Sequence, residues 1–165
     1  MARNIIWVVD TSSVAEIRRS IENARKKNVF DSMSVLVDDG RIVFPKQVVD
    51  ELERAIDPHS PDPQYLWAKK NEGKATEHAP SLGEVKDVLA QVPRVLDPDK
   101  DTGAEEADPY LLALAVRLRA EGKDARIVTE EIRDTPRKMS LNTACGLVGV
   151  PSVPLRAFLH FEEII

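Results

Sequence analysis

Short apolar runs alternate with longer segments of helical periodicity along this chain. The first run, Ile5–Val9, is five residues long, is rich in β-branched residues and is followed at once by Asp10. Such a run is typical of a strand that is covered on both faces of a parallel sheet. Asp10 would then lie at the carboxyl end of the strand, where open α/β sheets bind their ligands.

Three further apolar runs predict strands, at residues 41–44, 125–129 and 150–153. Segments with a helical spacing of apolar residues separate these runs. The alternation predicts an α/β protein with a three-layer α/β/α fold and a central parallel sheet of four to five strands. We expect residues 1–165 to form a single domain, since a chain of 165 residues can bury a sizeable core.

Capping signals predict several helix boundaries. A capping box at residues 13–16 predicts a helix that starts after the first strand and runs to the basic residues 25–27. A second, short helix should follow over residues 30–37. Another capping box at residues 81–84 predicts the start of a later helix, and Gly122 predicts the end of a long helix rich in alanine and leucine.

Residues 57–80 differ in character from the rest, and we interpret them as an insertion or an extended loop–helix region. Residues 57–63 are rich in proline and polar side chains. Tyr65 and Trp67 then open a helix that soon becomes rich in lysine. These two aromatic rings could stack on single-stranded RNA, although packing of the helix onto the domain is the commoner role for such residues.

Composition and charge exclude several classes of protein. Hydrophobic residues make up 42% of the chain and charged residues 31%, as in a folded globular protein. No apolar run approaches the roughly 20 residues of a bilayer span, so no membrane association is expected. A single cysteine, Cys145, allows no internal disulfide, which favours a cytoplasmic location. The net charge of −5 argues against a basic nucleic-acid-binding surface but suits a carboxylate site that needs metal cations.

Acidic residues lie at corresponding ends of the predicted elements. Asp10 follows the first strand and Glu130 and Glu131 follow a later strand. Glu51 lies on the helix after the second strand, and Asp108 lies in the first turn of the long helix rich in alanine and leucine. A pocket of such acids is unstable without cations because like charges repel, and Mg²⁺ or Mn²⁺ are the natural partners of oxygen ligands. Two such ions can orient a water molecule and stabilise the leaving oxygen of a phosphodiester. Taken singly, Asp108 could be a helix N-cap and Glu51 a solvated residue on a charged helix face.

Four stretches of the chain form a series: VVDTS at residues 8–12, FPKQVVDEL at 44–52, ADPYLLALA at 107–115 and IVTEE at 127–131. The series resembles the PIN-domain superfamily of metal-dependent ribonucleases, which includes the VapC-type toxins. The four stretches follow the order of that family, and the chain is similar to it as a divergent relative. The resemblance implies a PIN-like version of the three-layer fold.

The resemblance also implies roles for particular residues. It assigns four acids to catalysis and metal binding: Asp10, Glu51, Asp108 and Glu131. It assigns three hydroxyls to their support: Thr11, Ser12 and Thr129. The family usually carries aspartate at the fourth acidic position, so Glu130 could serve there instead of Glu131. Arg137 and Lys138, in the loop that follows, are candidate phosphate contacts, although a solvated loop pair would look the same in the sequence.

The function implied by the resemblance is Mg²⁺- or Mn²⁺-dependent endonucleolytic cleavage of single-stranded RNA by the toxin of a toxin–antitoxin pair. It also implies a cognate antitoxin and a second copy of the chain as partners. The alternative is a non-catalytic PIN-like module that binds RNA or another protein, and the four filled acidic positions favour the enzyme. Two other folds fit less well. A haloacid-dehalogenase-like phosphatase needs a second aspartate where this chain has Ser12, and a receiver domain needs an acidic neighbour that Asp10 lacks.

Overall fold

The computed structural model describes residues 4–56, 59, 62–98 and 105–165. Within them the chain forms a four-stranded parallel sheet flanked by helices in three layers, which confirms the predicted fold class. The strands are β1 (Ile5–Val9), β2 (Ile42–Val43), β3 (Asp124–Val128) and β4 (Ser152–Val153). The helices are α1 (Thr11–Ser20), α2 (Asn23–Asp38), α3 (Lys46–Arg54), α4 (Pro63–Ala75), α5 (Leu82–Gln91), α6 (Asp108–Ala120), α7 (Leu141–Val148) and α8 (Leu155–Phe161), with a short 3₁₀ turn at Pro93–Val95.

The order of the strands, β2-β1-β3-β4, places the first apolar run at the centre of the sheet. In the parallel register of β1 and β3, Val9 lies opposite Val128. The next residue of each chain segment, Asp10 and Thr129, therefore lies at the same carboxyl edge. Both residues are buried, so this edge carries polar groups inside the protein rather than on its surface.

The two outer strands are shorter than predicted. Only two residues of β2 and two of β4 pair with the sheet, whereas each strand was predicted to have four residues. Prolines flank both strands closely, at Pro45 after β2 and at Pro151 and Pro154 around β4. Because proline has no backbone N–H, it limits how far a sheet ladder can extend.

The first helix begins earlier and ends sooner than predicted. Its N-cap is Asp10, whose carboxylate accepts a hydrogen bond from the backbone N–H of Ser13 at 2.8 Å, so the predicted capping box at residues 13–16 is wrong. Ile21 is extended and separates α1 from α2, so the break between the two helices lies at residues 21–22 and not between residues 27 and 30 as predicted. The break redirects the chain so that each of the two helices buries an apolar face of its own.

Other predicted boundaries are confirmed. Ser81 and Glu84 make both hydrogen bonds of a capping box at the start of α5. Gly122 follows α6 with φ +85°, a left-handed conformation that glycine adopts without steric cost. In these places the local sequence alone decides where the helix starts or stops.

The region 57–80 contributes a packed helix. Residues 57, 58, 60 and 61 of its proline-rich segment lie outside the described residues. In α4, Trp67 is 5% exposed, packs its ring against Phe30 and Phe44 at centroid distances of 6.0 and 5.8 Å, and donates its Nε1–H to the hydroxyl of Ser34. Trp67 is therefore a core residue that anchors α4, rather than an exposed stacking platform for RNA.

The last helix closes the fold over β1. Trp7 packs edge-on against Phe158 and Phe161, with ring centroids 5.1 and 5.5 Å apart. Its Nε1–H donates to Glu162, which also accepts hydrogen bonds from the guanidinium of Arg41. Among the described residues, no helix is long and apolar enough to cross a bilayer.

Candidate functional site

An open cleft of about 500 Å³ lies at the carboxyl edge of the sheet. Within the described part of the chain, five carboxylates line it: Asp10, Glu51, Glu106, Asp108 and Glu131. Two cationic side chains, Arg54 and Lys138, complete its charged lining. The cleft therefore brings together the four acids that the sequence predicted for one site, with more negative than positive charge around them.

Asp10 forms the floor of this cleft and is 2% exposed. Its Oδ1 accepts from the backbone N–H of Ser13 and from the hydroxyl of Ser12, and its Oδ2 accepts from Ser12 and, at 2.6 Å, from the hydroxyl of Thr129. All of these donors are neutral. Burial raises the pKa of Asp10 to about 6, and the hydrogen bonds from Thr129, Ser13 and Ser12 oppose that rise.

Glu51 reaches the cleft from α3. One of its carboxylate oxygens accepts from the hydroxyl of Thr11, and the other accepts from the backbone N–H of Ala107 at 3.2 Å. Thr11 opens α1 and Ala107 is the N-cap of α6, so Glu51 joins the starts of two helices. A carboxylate is stabilised in such a place by the partial positive charge of helix N-termini.

Asp108 is the first residue of α6, and its side chain lies in the cleft instead of capping the helix, so the alternative reading as a simple N-cap is wrong. Its Oδ2 contacts the ammonium of Lys138 at 2.9 Å, and the same ammonium contacts Glu131 at 3.0 Å. Burial and the charge of Glu131 raise the pKa of Asp108 to about 7, while Lys138 opposes that rise. Burial acts to lower the pKa of Lys138, but the two carboxylates outweigh it and raise that pKa above its usual range.

Two of the predicted candidates point elsewhere. Glu130 accepts a hydrogen bond from the backbone N–H of Leu155 at 2.6 Å and so binds the start of α8, away from the cleft. Arg137 lies 3.7 Å from Asp97 and is not among the described residues that line the cleft. The choice between Glu130 and Glu131 for the fourth acidic position therefore falls on Glu131, and of the two basic loop residues only Lys138 faces the acids.

Two residues of the cleft were missed in the sequence. Arg54 lies one helical turn after Glu51, and this spacing places both side chains on the same side of α3. Glu106 stands two residues before Asp108, just ahead of the start of α6. The spacing from Glu51 would have identified Arg54, but no comparable signal identified Glu106.

The donors of the cleft suit a hard divalent cation, since its acidic ligands are all carboxylate oxygens. Lys138 already holds a positive charge between Asp108 and Glu131, which indicates that this position attracts a cation. In the part of the chain that the structure describes, no three His, Cys, Asp or Glu side chains are already grouped as ligands of one ion. Cys145 is buried, and burial raises the pKa of its thiol to about 12, so it offers no thiolate for metal binding or nucleophilic attack.

A family model described as a domain of unknown function, DUF4411, matches residues 7–164. No curated protein and no solved structure matches the chain significantly. Since the family model covers nearly the whole chain, the chain belongs to the DUF4411 family.

Proposed function

We propose that this member of the DUF4411 family is a metal-dependent endoribonuclease that cleaves single-stranded RNA, and that its family is a divergent branch of the PIN-domain superfamily. One observation carries the proposal. Asp10, Glu51, Asp108 and Glu131, which lie far apart in the sequence, line a single cleft at the carboxyl edge of a parallel sheet. Such a concentration of buried and partly buried acids weakens a fold and is typical of functional sites.

The proposed metal is Mg²⁺ or Mn²⁺, held by Asp10 and Asp108, with Glu51 and Glu131 completing the pocket. When bound, a divalent cation in such a site activates a water molecule for in-line attack on phosphorus and neutralises the charge that develops. The products expected from the resemblance carry a 5′-phosphate and a 3′-hydroxyl.

The residues around the acids have supporting tasks. Thr129 and Ser12 donate to both oxygens of Asp10 and so fix the orientation of that carboxylate. Thr11 does the same for Glu51. Arg54, at the side of the cleft, is placed to bind a phosphate group of the RNA through its guanidinium. These contacts hold the carboxylates in place before a ligand arrives, as catalysis by charge stabilisation requires.

A cleavage assay with matched variants tests the proposal. A labelled single-stranded RNA is incubated with Mn²⁺ or with chelator, using the parent, Asp10→Asn and Asp108→Asn. Each substitution should lower the rate by more than about 100-fold, because it removes a carboxylate at the reacting centre. Both variants should remain folded, with melting temperatures at or above that of the parent, because repulsion among the acids is relieved.

The matched control comes from α3. Glu51→Gln should also lose activity, whereas Glu53→Gln, two residues along the same helix and exposed to solvent, should keep it. Cleavage that persists in both aspartate variants, or that proceeds in chelator, would overturn the proposed metal-dependent mechanism. No cleavage by the parent protein with Mn²⁺ would overturn the proposed activity and favour the non-catalytic module. The toxin role adds a cellular readout, since induced expression of the parent should arrest growth and Asp108→Asn should not.

A further inference from the structure

Lys138 occupies an unusual position for a loop lysine. Its ammonium contacts Oδ2 of Asp108 and Oε1 of Glu131, two of the four acids of the cleft, at 2.9 and 3.0 Å. The lysine side chain is 23% exposed, and those of Asp108 and Glu131 are 13% and 29% exposed. A surface ion pair is well exposed and contributes little to stability, whereas the ammonium of Lys138 is largely shielded from solvent beside the two carboxylates that it neutralises.

The backbone of Lys138 is held in place by the loop around it. The hydroxyl of Thr135 accepts from the backbone N–H of Lys138 at 3.1 Å, and the N–H of Thr135 donates to the carbonyl of Lys138 at 3.0 Å. The next residue, Met139, donates its N–H to the carbonyl of Arg94 at 2.7 Å. These hydrogen bonds fix the backbone of Lys138, so its side chain extends into the cleft from a defined position.

A divalent ion and this ammonium exclude each other between the same two carboxylates. Mg²⁺ or Mn²⁺ would need the oxygens of Asp108 and Glu131 at about 2.0–2.2 Å, in the space that the ammonium fills. At such distances the two positive charges would also repel strongly in a partly buried site. Among the described residues, Asp10 accepts hydrogen bonds only from neutral donors and lines the same cleft as Asp108, so no charged side chain competes with a cation for its oxygens.

Resting on the function proposed above, we propose that Lys138 is the resident second cation of the site, which therefore takes one divalent ion and not two. Asp10 and Asp108 would hold the divalent ion, and the ammonium of Lys138 balances the charge of Asp108 and Glu131. A lysine ammonium has three N–H donors, and two are directed at these carboxylates. The third is left for a non-bridging oxygen of the substrate phosphate, so Lys138 binds substrate on the side where a second metal ion would otherwise lie.

The number of Mn²⁺ ions bound at saturation tests this inference without any activity assay. It is measured by titration calorimetry and by the electron paramagnetic resonance signal of free Mn²⁺. The parent protein should bind one ion, and Lys138→Arg should also bind one because the charge is kept. Lys138→Gln and Lys138→Met should bind two, since the space and the negative charge then become available to a second ion.

Arg137→Gln is the matched control, because it removes one positive charge from the adjacent residue, whose side chain lies near Asp97. This variant should bind one ion. Two ions on the parent protein, or one ion on both neutral Lys138 variants, would overturn the inference and leave the proposed function standing. An absence of bound ions from every protein would overturn both. The parent measurement alone can overturn the inference, so it remains testable even if a neutral variant fails to fold.

Discussion

Two clusters of charge lie at opposite ends of the central strand β1, and they differ in how their charges are matched. At the amino end, Glu162 accepts from the indole of Trp7 and from Nη1 and Nη2 of Arg41, whose Nε–H donates to the carbonyl of Ile5. We call this group the amino-end clasp. At the carboxyl end, the cleft holds five carboxylates and two cations among the described residues.

The clasp is matched charge for charge and donor for acceptor, whereas the cleft is left with an excess of negative charge. Matched groups of this kind hold elements together, and here they join β1, the start of β2 and the end of α8. Unmatched carboxylates raise one another's pKa and weaken the fold, which is tolerated where they serve a ligand. The comparison separates a structural ion pair from a site: the structural pair is complete without a ligand, and the site is not.

The largest effect on stability should come from breaking the clasp. Glu162→Met leaves the guanidinium of Arg41 and the indole N–H of Trp7 without their acceptor, and should lower the free energy of unfolding by about 3 kcal/mol. Urea denaturation measures the loss. Mn²⁺ binding and RNA cleavage should be unchanged at temperatures where the variant stays folded, because the cleft lies at the other end of β1.

A double variant sharpens this prediction. Arg41→Met combined with Glu162→Met removes both charges and should recover part of the stability lost in Glu162→Met, since a buried pair can be replaced by apolar groups at little cost. A double variant less stable than Glu162→Met would contradict the account of the clasp as a matched pair.

The next effect concerns the pH dependence of the metal-free protein. The pKa of Asp10 is about 6 in the folded state against 3.8 for an ordinary aspartate. A raised folded-state pKa gives stability that is fully present below pH 3.8 and is lost as the pH rises through 6. Asp10→Asn cannot ionise, so in chelator its stability relative to the parent should increase by up to about 3 kcal/mol between pH 4 and pH 7.5. A difference that stays constant across this range would show that Asp10 is not strained by burial.

The smallest effect should distinguish Glu130 from its neighbour in the site. Glu130→Ala removes the acceptor for the first backbone N–H of α8 and should cost about 1 kcal/mol, as the loss of a helix cap does. Cleavage should persist, because the side chain faces away from the cleft. Glu22 is the control, since it precedes α2 without making a side-chain cap, and Glu22→Ala should change stability little. Loss of cleavage in Glu130→Ala would return Glu130 to the list of candidate ligands.

The sequence predicted the fold correctly where a structural feature depends on neighbouring residues. The apolar run of β1, the capping box before α5 and the glycine after α6 are read from neighbouring residues, and each was predicted correctly. The break between α1 and α2 was predicted about seven residues too late, because the apolar positions of residues 13–27 keep a helical spacing through the true break at residues 21–22. The first helix starts at Thr11 and not at the predicted capping box of residues 13–16, because the carboxylate of Asp10 caps α1 three residues earlier.

For the site, the sequence by itself determined which acids stand at the ends of strands and on the helices that follow them, because those positions follow from local periodicity. Only the tertiary structure decided between Glu130 and Glu131, because adjacent side chains in an extended segment point to opposite sides and the sequence does not say which side faces the cleft. The tertiary structure also decided the place of Lys138. That lysine reaches Asp108, 30 residues away, because its loop is held by a contact to the carbonyl of Arg94, and such long-range contacts leave no periodic trace in the chain.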